Sequence, residues 1–147
     1  MPDTFAPAFR SEVMSHIRSS GTTPERRLRQ LLIEPLAGIE VRCNVETLPG
    51  RPDVVIDDLR IAVFADGCFF HRCPLHWRLP STNAEYWQAK VVGNRRRDRR
   101  NSRALRATGW AVWRVWEHDL KPTRIPATAR RLARLAERRR QWLASAR

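Results

Sequence analysis

Two cysteines and two histidines lie close together in the middle of the chain, at Cys68, His71, Cys73 and His76. The surrounding segment, residues 67–80, is rich in prolines and aromatic residues, which predicts an irregular loop. Such a loop has no core of its own and needs another source of stability. Because structural zinc sites are tetrahedral and take thiolate and imidazole ligands, Cys68, Cys73 and His76 are candidate ligands of one Zn²⁺.

A fourth zinc ligand must come from elsewhere in the chain. His118 follows a tryptophan-rich predicted strand and is the best placed, whereas its rival, Cys43, lies within a predicted strand and resembles a small core residue. Unrelated thiols and scattered histidines are the alternative to a metal site. His71 lies between Cys68 and Cys73, where it is too constrained to bind the same ion. Its imidazole could instead deprotonate an attacking water, and a merely solvent-exposed histidine is the alternative.

A carboxylate lies at the start of a predicted hairpin. Asp53 follows a Gly-Arg-Pro turn and precedes a β-branched strand, and an Asp-Asp pair soon afterwards predicts the hairpin turn. In such a hairpin Asp53 faces Phe64 or Ala65 and lies close to Asp66. Carboxylate and carbonyl oxygens are ligands that suit Mg²⁺, which can polarise a phosphodiester. The alternative is an aspartate that only caps a strand.

The hydrophobic pattern predicts the elements that must position these residues. Capping-box pairs, Thr22 with Glu25 and Thr82 with Glu85, predict the starts of two helices, and for Glu25 this cap is the alternative to a chemical role. Helices are predicted over residues 9–20, 22–34, 82–106 and 127–144, and strands over residues 40–45, 53–56, 60–64 and 110–116. This order predicts one α/β domain, residues 1–147, with a mixed sheet flanked by helices.

The charge of the chain indicates its partner. The 147 residues include 28 basic and 15 acidic side chains, for a formal net charge of +13. Nearly all the basic residues are arginine, as GC-rich coding also produces, but their clustering favours a polyanion such as nucleic acid. Three cysteines, no apolar leader and no long apolar run argue against a secreted or membrane protein. A cytoplasmic location is therefore expected.

Aromatic residues beside the Cys/His loop suggest a DNA-distorting surface. Phe69 and Phe70 are adjacent on the loop, so they cannot both point into a core. Apolar wedges of this type can insert between base steps and unstack them. Trp87 could join the wedge, although helix–sheet packing with Val91 is an equally good explanation.

Two arginine-rich segments differ in how strongly they indicate DNA binding. Residues 90–106 contain eight basic side chains and one acid, Asp98, and the arginines surround the predicted helix. A helix this cationic beside a wedge predicts contacts with phosphates. The terminal segment, residues 124–147, has the weaker claim, because a packing helix with a solvated face explains its arginines.

Taken together, these residues resemble the very short patch repair (Vsr) family of DNA mismatch endonucleases. The resemblance spans roughly residues 10 to 120 in order. Its motifs are Arg10-Ser11…Met14…Ile17-Arg18, Thr23-Pro24-Glu25…Leu28-Arg29, Leu48-Pro49-Gly50-Arg51-Pro52-Asp53, Val63-Phe64-Ala65-Asp66-Gly67-Cys68-Phe69-Phe70-His71-Arg72-Cys73-Pro74, Asn83…Tyr86-Trp87…Lys90…Asn94…Arg97-Asp98 and Gly109-Trp110…Val112…Val115-Trp116-Glu117.

The resemblance implies a restriction-endonuclease-like fold with a structural zinc loop. It also implies an enzyme that uses Mg²⁺ to nick double-stranded DNA 5′ to the T of a T:G mispair, the product of 5-methylcytosine deamination. The implied catalytic residues are Asp53, His71, Glu25 and Asp98, with Mg²⁺ contacts from Asp53, the carbonyl of Ala65 and Asp66. The implied zinc ligands are Cys68, Cys73, His76 and His118, and the implied DNA contacts are Met14 in the N-terminal arm (residues 1–20), Phe69, Phe70, Trp87, Lys90, Asn94 and Arg97.

Three departures from the family pattern concern the site. Phe70 stands where many members have tryptophan, Ala65 replaces larger residues, and His118 stands where cysteine is common. The resemblance also implies action in DNA repair and the stress response on the bacterial nucleoid, linked to a cytosine-5 DNA methyltransferase and mismatch-repair proteins. The rival functions are a Vsr-like nuclease with another target, such as foreign DNA, and a non-catalytic zinc-containing DNA-binding module.

Overall fold

A computed structural model describes residues 23–33 and 38–147, and the elements there follow the predicted order. The helices are α1 (Thr23–Ile33), α2 (Ala84–Ala107) and α3 (Ile125–Ser145). The strands are β1 (Arg42–Cys43), β2 (Val54–Ile56), β3 (Ile61–Asp66) and β4 (Ala111–Trp116). The predicted helix over residues 9–20, together with Met14 and Thr22, lies outside the described residues. Where the structure describes the chain, it forms one small α/β domain.

The four strands form a mixed sheet in the order β1-β2-β3-β4. The first two pairs are antiparallel and the β3–β4 pair is parallel. Val54 pairs with Val63 in the hairpin, which confirms the register predicted from its turn. In the parallel pair, Asp66 lies beside Trp116. Because parallel strands end at the same edge of a sheet, the chain leaves β3 and β4 at one place.

Helices cover both faces of the sheet, as the sequence predicts. On one face Val63 packs in a core that includes Leu28 of α1 and Leu132 of α3. On the other face Phe64 packs with Leu105 of α2. Side chains alternate along a strand, so the face of β3 that carries Phe64 also carries Asp66 toward α2. No helix among the described residues is both long and apolar enough to cross a membrane.

Three details of the sequence prediction are wrong. The strand expected over residues 40–45 is reduced to Arg42–Cys43, because Asn44 adopts a left-handed φ of 51° that ends the regular strand, although the backbone N–H groups of Asn44 and Val45 still bond the carbonyls of Asp53 and Pro52. Cys43 is exposed on this edge strand and is no core residue. The long helix does not begin with a Thr82–Glu85 capping box: its N-cap is Asn83, also left-handed, without a side-chain cap.

One glycine fixes the turn that leads to Asp53. Gly50 has a φ of +78°, and a Cβ built there would lie 3.0 Å from the Cβ of Asn101 and 3.2 Å from the ring of Phe64. Both the backbone conformation and the close packing therefore require glycine. The turn packs against Asn101 of α2, and this contact sets the distance between Asp53 and the residues of that helix.

We predict opposite effects of alanine at two glycines. Gly50→Ala should lower the free energy of unfolding by about 1–3 kcal/mol, because the left-handed backbone is strained for alanine. Gly93→Ala, in α2 where a new Cβ would meet nothing within 4 Å, should raise it by about 0.5–1 kcal/mol through helix propensity. Urea denaturation of both variants beside the wild type measures this. Equal stability of Gly50→Ala and the wild type would show that the turn does not need its glycine.

Candidate active site and metal centre

Four carboxylates and one imidazole line a cleft of about 270 Å³ at the end of β3. Each comes from a different part of the chain. Glu25 lies in the first turn of α1, Asp53 precedes β2, Asp66 ends β3, His71 follows in the loop and Asp98 lies in α2. The structure therefore brings together all four residues that the sequence predicts to be catalytic, and Asp66 with them.

Asp53 is held against the neighbouring strand. Its Oδ2 accepts a hydrogen bond of 2.7 Å from the backbone N–H of Ala65. Burial raises the pKa of Asp53 from 3.8 to about 6, against the lowering effect of that hydrogen bond, and the negative charges of Glu25 and Asp66 raise it further. Asp53 thus carries a negative charge whose surroundings do not compensate it, and a cation in the cleft would do so.

His71 forms a close pair with Asp98. Its Nδ1 lies 2.6 Å from Oδ2 of Asp98 and 3.8 Å from Oδ1 of Asp66. Burial lowers the pKa of His71, but the hydrogen bond to Asp98 and the charges of both aspartates outweigh it, so the pKa is raised. Because Nδ1 faces the carboxylate, Nε2 is the nitrogen left for a water or a substrate. Asp98 therefore supplies the orienting contact to the imidazole.

Arg114 of β4 is a site residue that the sequence reasoning missed. Its Nη1 lies 3.0 and 3.2 Å from the two carboxylate oxygens of Asp66 and 3.6 Å from Oδ1 of Asp98. Its Nε donates to Ser102, and its guanidinium lies 4.1 Å from the ring centre of Phe64. The alternation of side chains along β4 could have revealed it: Arg114 lies on the face that a helix covers, and a partly buried arginine needs an acidic partner. Arg114 offsets much of the charge of Asp66, whose pKa is nevertheless raised, chiefly by burial.

The predicted zinc ligands form a compact cluster. The Sγ atoms of Cys68 and Cys73 lie 3.4 and 3.5 Å from Nδ1 of His118, and Sγ of Cys73 lies 3.6 Å from Nδ1 of His76. Around one tetrahedral Zn²⁺, with its usual bond lengths, sulfur and nitrogen ligands lie about 3.6 Å apart. The four ligand atoms all lie within 4.8 Å of one another, so they could hold a single metal ion. Exposed Cys43 is not part of this group.

The aromatic residues beside the Cys/His cluster contact one another. The ring centres of Phe69 and Phe70 are 5.3 Å apart, and Phe69 lies 5.4 Å from Trp87, edge to face in both pairs. Tyr86, which the sequence reasoning did not single out, extends the group at 5.0 Å from Trp87 and is 45% exposed. All four are at least partly open to solvent. We name Phe69, Phe70, Tyr86 and Trp87 the aromatic group.

Asn94 supports this aromatic group from α2. It is buried, and its Nδ2 donates a hydrogen bond of 2.9 Å to the carbonyl of Phe70. Its Oδ1 accepts a hydrogen bond from Arg97. Lys90 lies one turn earlier on the same helix and is half-buried. In this structure the amide of Asn94 therefore holds the loop, and Lys90 and Arg97 flank it.

A carboxylate-rich cleft beside a hydrogen-bonded imidazole, in a strongly basic α/β domain, is typical of nucleases that use a divalent cation. The family model described as DNA mismatch endonuclease Vsr matches residues 2–77 of the chain. The chain therefore belongs to the Vsr family, as the resemblance of its motifs predicts.

Three relatives show how far the similarity extends. The DNA mismatch endonuclease Vsr of Escherichia coli (strain K12) is 40% identical over 123 residues, which cover 82% of this chain and 77% of the relative. The type II nicking enzyme V.NaeI of Lentzea aerocolonigenes is 43% identical over 117 residues, 76% and 69% of the two chains. The type II nicking enzyme V.XorIIP of Xanthomonas oryzae pv. oryzae is 38% identical over 122 residues, 82% and 88%.

We predict that Asp53→Asn stabilises the protein at neutral pH when no Mg²⁺ is added. The pKa of Asp53 is about 6 in the folded chain against 3.8 ordinarily, so folding favours the protonated carboxyl. The contribution of Asp53 to the free energy of unfolding is therefore fully present below its ordinary pKa of 3.8, and it is lost as the pH rises through the pKa of about 6 in the folded chain. The variant, uncharged throughout, should exceed the wild type in free energy of unfolding by on the order of 2–3 kcal/mol above about pH 7, and by little below about pH 4.

Urea denaturation across this pH range measures the difference. Asp58→Asn is the matched control, because Asp58 is exposed in the hairpin turn and lies outside the cleft, so its replacement tests the same chemical change without the burial. A variant Asp53→Asn that is less stable than the wild type at every pH would contradict the electrostatic account of the cleft.

Proposed function

We propose that the protein is a Mg²⁺-dependent endonuclease that nicks duplex DNA 5′ to the T of T:G mispairs arising from deamination of 5-methylcytosine, and so initiates very short patch repair. The observation that carries the proposal is the cleft in which Asp53 and the His71–Asp98 pair meet. Membership of the Vsr family, whose model is described as a mismatch endonuclease, supports the target.

The donor set at Asp53 fits Mg²⁺. This ion prefers oxygen ligands and is usually bound by one or two carboxylates, with waters and phosphate completing its shell. Asp53 would hold it together with the carbonyl of Ala65, and Asp66 would contribute less because Arg114 already contacts both of its oxygens. When bound, the ion would supply electrostatic stabilisation of the charge that develops on the phosphate. The raised pKa of Asp53 supports a cation at this position.

His71 is proposed to be the base that takes the proton of the attacking water. Asp98 orients the imidazole through Nδ1, 2.6 Å away, so Nε2 is the atom that receives the proton. Although burial lowers the pKa of His71, that pKa is raised, chiefly by the hydrogen bond to Asp98, which makes the imidazole a stronger base. Arg114 keeps Asp66 and Asp98 in place through its contacts with both. Glu25 adds to the negative field at Asp53 and is proposed to assist there.

The Cys/His cluster is proposed to hold a structural Zn²⁺. Cys68, Cys73, His76 and His118 provide two thiolates and two imidazoles at the spacing of a closed tetrahedral site. The ion would tie the loop that carries Phe69, Phe70 and His71 to the end of β4. With this zinc loop and a mixed sheet covered on both faces, a restriction-endonuclease-like fold is the classification that we propose.

The aromatic group is proposed to enter the DNA beside the mispair. Phe69, Phe70 and Trp87 would unstack the bases, at a lower cost where a T:G pair already stacks poorly. Lys90 and Arg97 lie on the helix behind them and are proposed to contact the DNA, as is Met14, outside the described residues. Asn94, proposed as a mismatch contact from the family pattern, also positions the backbone of Phe70.

The proposed setting is the bacterial cytoplasm, on the nucleoid, as part of the response to DNA damage. A link to a cytosine-5 DNA methyltransferase and to mismatch-repair proteins belongs to the same proposal. A second candidate function is a Vsr-like nuclease with another DNA target, which the names of the two type II nicking enzymes favour. A protein that only binds DNA would not need the arrangement of Asp53 and His71, because neither is required to hold the DNA.

The function is tested by nicking assays on duplexes that differ only at one base pair. The wild type should nick the T-containing strand of a T:G duplex, and a panel of flanking sequences should reveal its preferred context. Asp53→Asn should abolish nicking with DNA binding largely intact, while Asp58→Asn should behave as the wild type. Equal cleavage of matched and mismatched duplexes would favour the second candidate function, and full activity of Asp53→Asn would remove the proposed metal site.

The wedge is tested by replacing both loop phenylalanines. Phe69→Ala/Phe70→Ala should weaken binding to T:G duplex much more than binding to matched duplex, because only the mispair lowers the cost of insertion. The salt dependence of binding should barely change, since no phosphate contact is removed. Leu75→Ala is the control, on the same loop and 64% exposed. An equal loss of affinity for both duplexes would mean that the phenylalanines do not sense the mispair.

A further inference from the structure

A second cleft of about 230 Å³ lies on the other side of the His71–Asp98 pair. It shares Asp66, His71, Asp98 and Arg114 with the active-site cleft but includes neither Asp53 nor Glu25. Its remaining wall is formed mainly by Arg95, Arg99 and Arg106 of α2 and by Trp116 of β4. We name it the arginine cleft. The His71–Asp98 pair, together with the Asp66–Arg114 pair, thus separates two cavities of different charge.

The arginine cleft carries uncompensated positive charge. Its two carboxylates, Asp66 and Asp98, are already paired with Arg114 and His71. Arg95 donates to the carbonyl of Arg72 at 3.3 Å, which leaves its charge unneutralised. In the part of the chain that the structure describes, no carboxylate lies within ion-pair distance of Arg99 or Arg106. Among the described residues, the guanidinium groups of Arg95, Arg99 and Arg106 thus line one cavity without a carboxylate partner of their own.

The wall opposite α2 is fixed in place. The ring of Trp116 lies nearly parallel to that of His118, at 11° with ring centres 6.5 Å apart. His118 belongs to the Cys/His cluster, so Trp116 is packed against a fixed part of the molecule. The arginine cleft is thus a built cavity between a rigid strand end and α2, and the planar, forked guanidinium groups that line it match the geometry of phosphate oxygens.

We infer that the arginine cleft binds the backbone phosphate next to the phosphate that is cut. The inference rests on the proposed function, because it places the scissile phosphate in the adjoining cleft between Asp53 and His71. A strand that passes over His71 then brings its neighbouring phosphate between Arg99 and Arg106. The side chains of Asp98 and His71 lie between the two phosphates, so each occupies an environment suited to its role: one reacts and the other is only held.

A neighbouring face of α2 offers a matched control. Arg96 and Arg103 line an adjacent cleft, of about 400 Å³, which also includes Arg99 but none of the carboxylates or the imidazole of the active-site cleft. Arg96 and Arg103 are seven positions apart, as are Arg99 and Arg106, and each precedes its counterpart by three positions, so the two pairs lie about 60° apart around one helix. Neither pair is buried, and replacement of either by glutamine removes the same charge from the same helix.

The experiment compares Arg99→Gln/Arg106→Gln with Arg96→Gln/Arg103→Gln in the Asp53→Asn background, which prevents cutting. Binding to a T:G duplex is measured over a salt series, with the melting temperature checking that each variant folds. The first pair should lose affinity about tenfold or more, with a salt slope smaller by about two contacts, and the second pair clearly less. A single methylphosphonate makes one phosphate of the DNA neutral. Placed next to the cut site, it should weaken DNA binding by the protein with all four arginines but should not change the affinity of the Arg99→Gln/Arg106→Gln variant.

Three results would overturn the inference. One is an equal loss of affinity in both double variants, and another is a methylphosphonate scan in which no position distinguishes the first variant from the wild type. The third is that Arg99→Gln/Arg106→Gln abolishes binding of free inorganic phosphate but leaves the affinity for DNA unchanged. If Arg99→Gln/Arg106→Gln does not fold, Arg99→Gln alone is scanned against Arg96→Gln. The proposed function is tested separately by the nicking assay. A wild type that nicks no T:G duplex would contradict the proposed function, whereas the binding measurements would still report whether Arg99 and Arg106 contact a phosphate.

Discussion

The parallel pairing of β3 with β4 is the constraint on which the rest of the site depends. Asp66 lies beside Trp116 at the ends of these strands. Cys68 and His118 each follow two residues after these strand ends, and their Sγ and Nδ1 atoms are 3.4 Å apart. One register thus places a carboxylate in the cleft and two members of the Cys/His cluster next to each other. The loop that leaves β3 at this point carries Phe69, Phe70 and His71.

The same arrangement gathers charges that oppose folding and suit catalysis. Asp53 and Asp66 are both largely buried, and burial raises the pKa of each. Arg114 contacts Asp66 and Asp98, and His71 bonds Asp98, so the negative charge left over is concentrated at Asp53. A cation bound there would offset the charge that makes Asp53 costly without one. On the far side of the same His71–Asp98 pair the excess charge is positive.

The sequence predicted what is local or chemically distinctive. The register of the hairpin follows from its short turn, and three members of the Cys/His cluster, Cys68, Cys73 and His76, are recognisable by residue type and spacing. What it missed depends on long-range packing: Asp98 meets His71 only because α2 crosses the face of the sheet, and Arg114 meets Asp66 only through the register of β4. The arginines of α2 are equivalent as sequence, and only the fold shows that Arg99 and Arg106 line a cavity together with His71 and Asp98, while Arg96 and Arg103 do not.

The central claim is that the Cys/His tie holds the loop with His71 against the end of β4. Metal analysis combined with amide hydrogen exchange tests it most directly, on the wild type, His118→Cys and His118→Ala. The account predicts one zinc per chain in the first two, with slow exchange at the amides of His71 and Cys73, which bond the carbonyls of Gly67 and Cys68. In His118→Ala zinc should be lost and those amides should exchange fast while β2 and β3 stay protected. Wild-type protein without zinc, or His118→Ala with full protection of the loop, would contradict it.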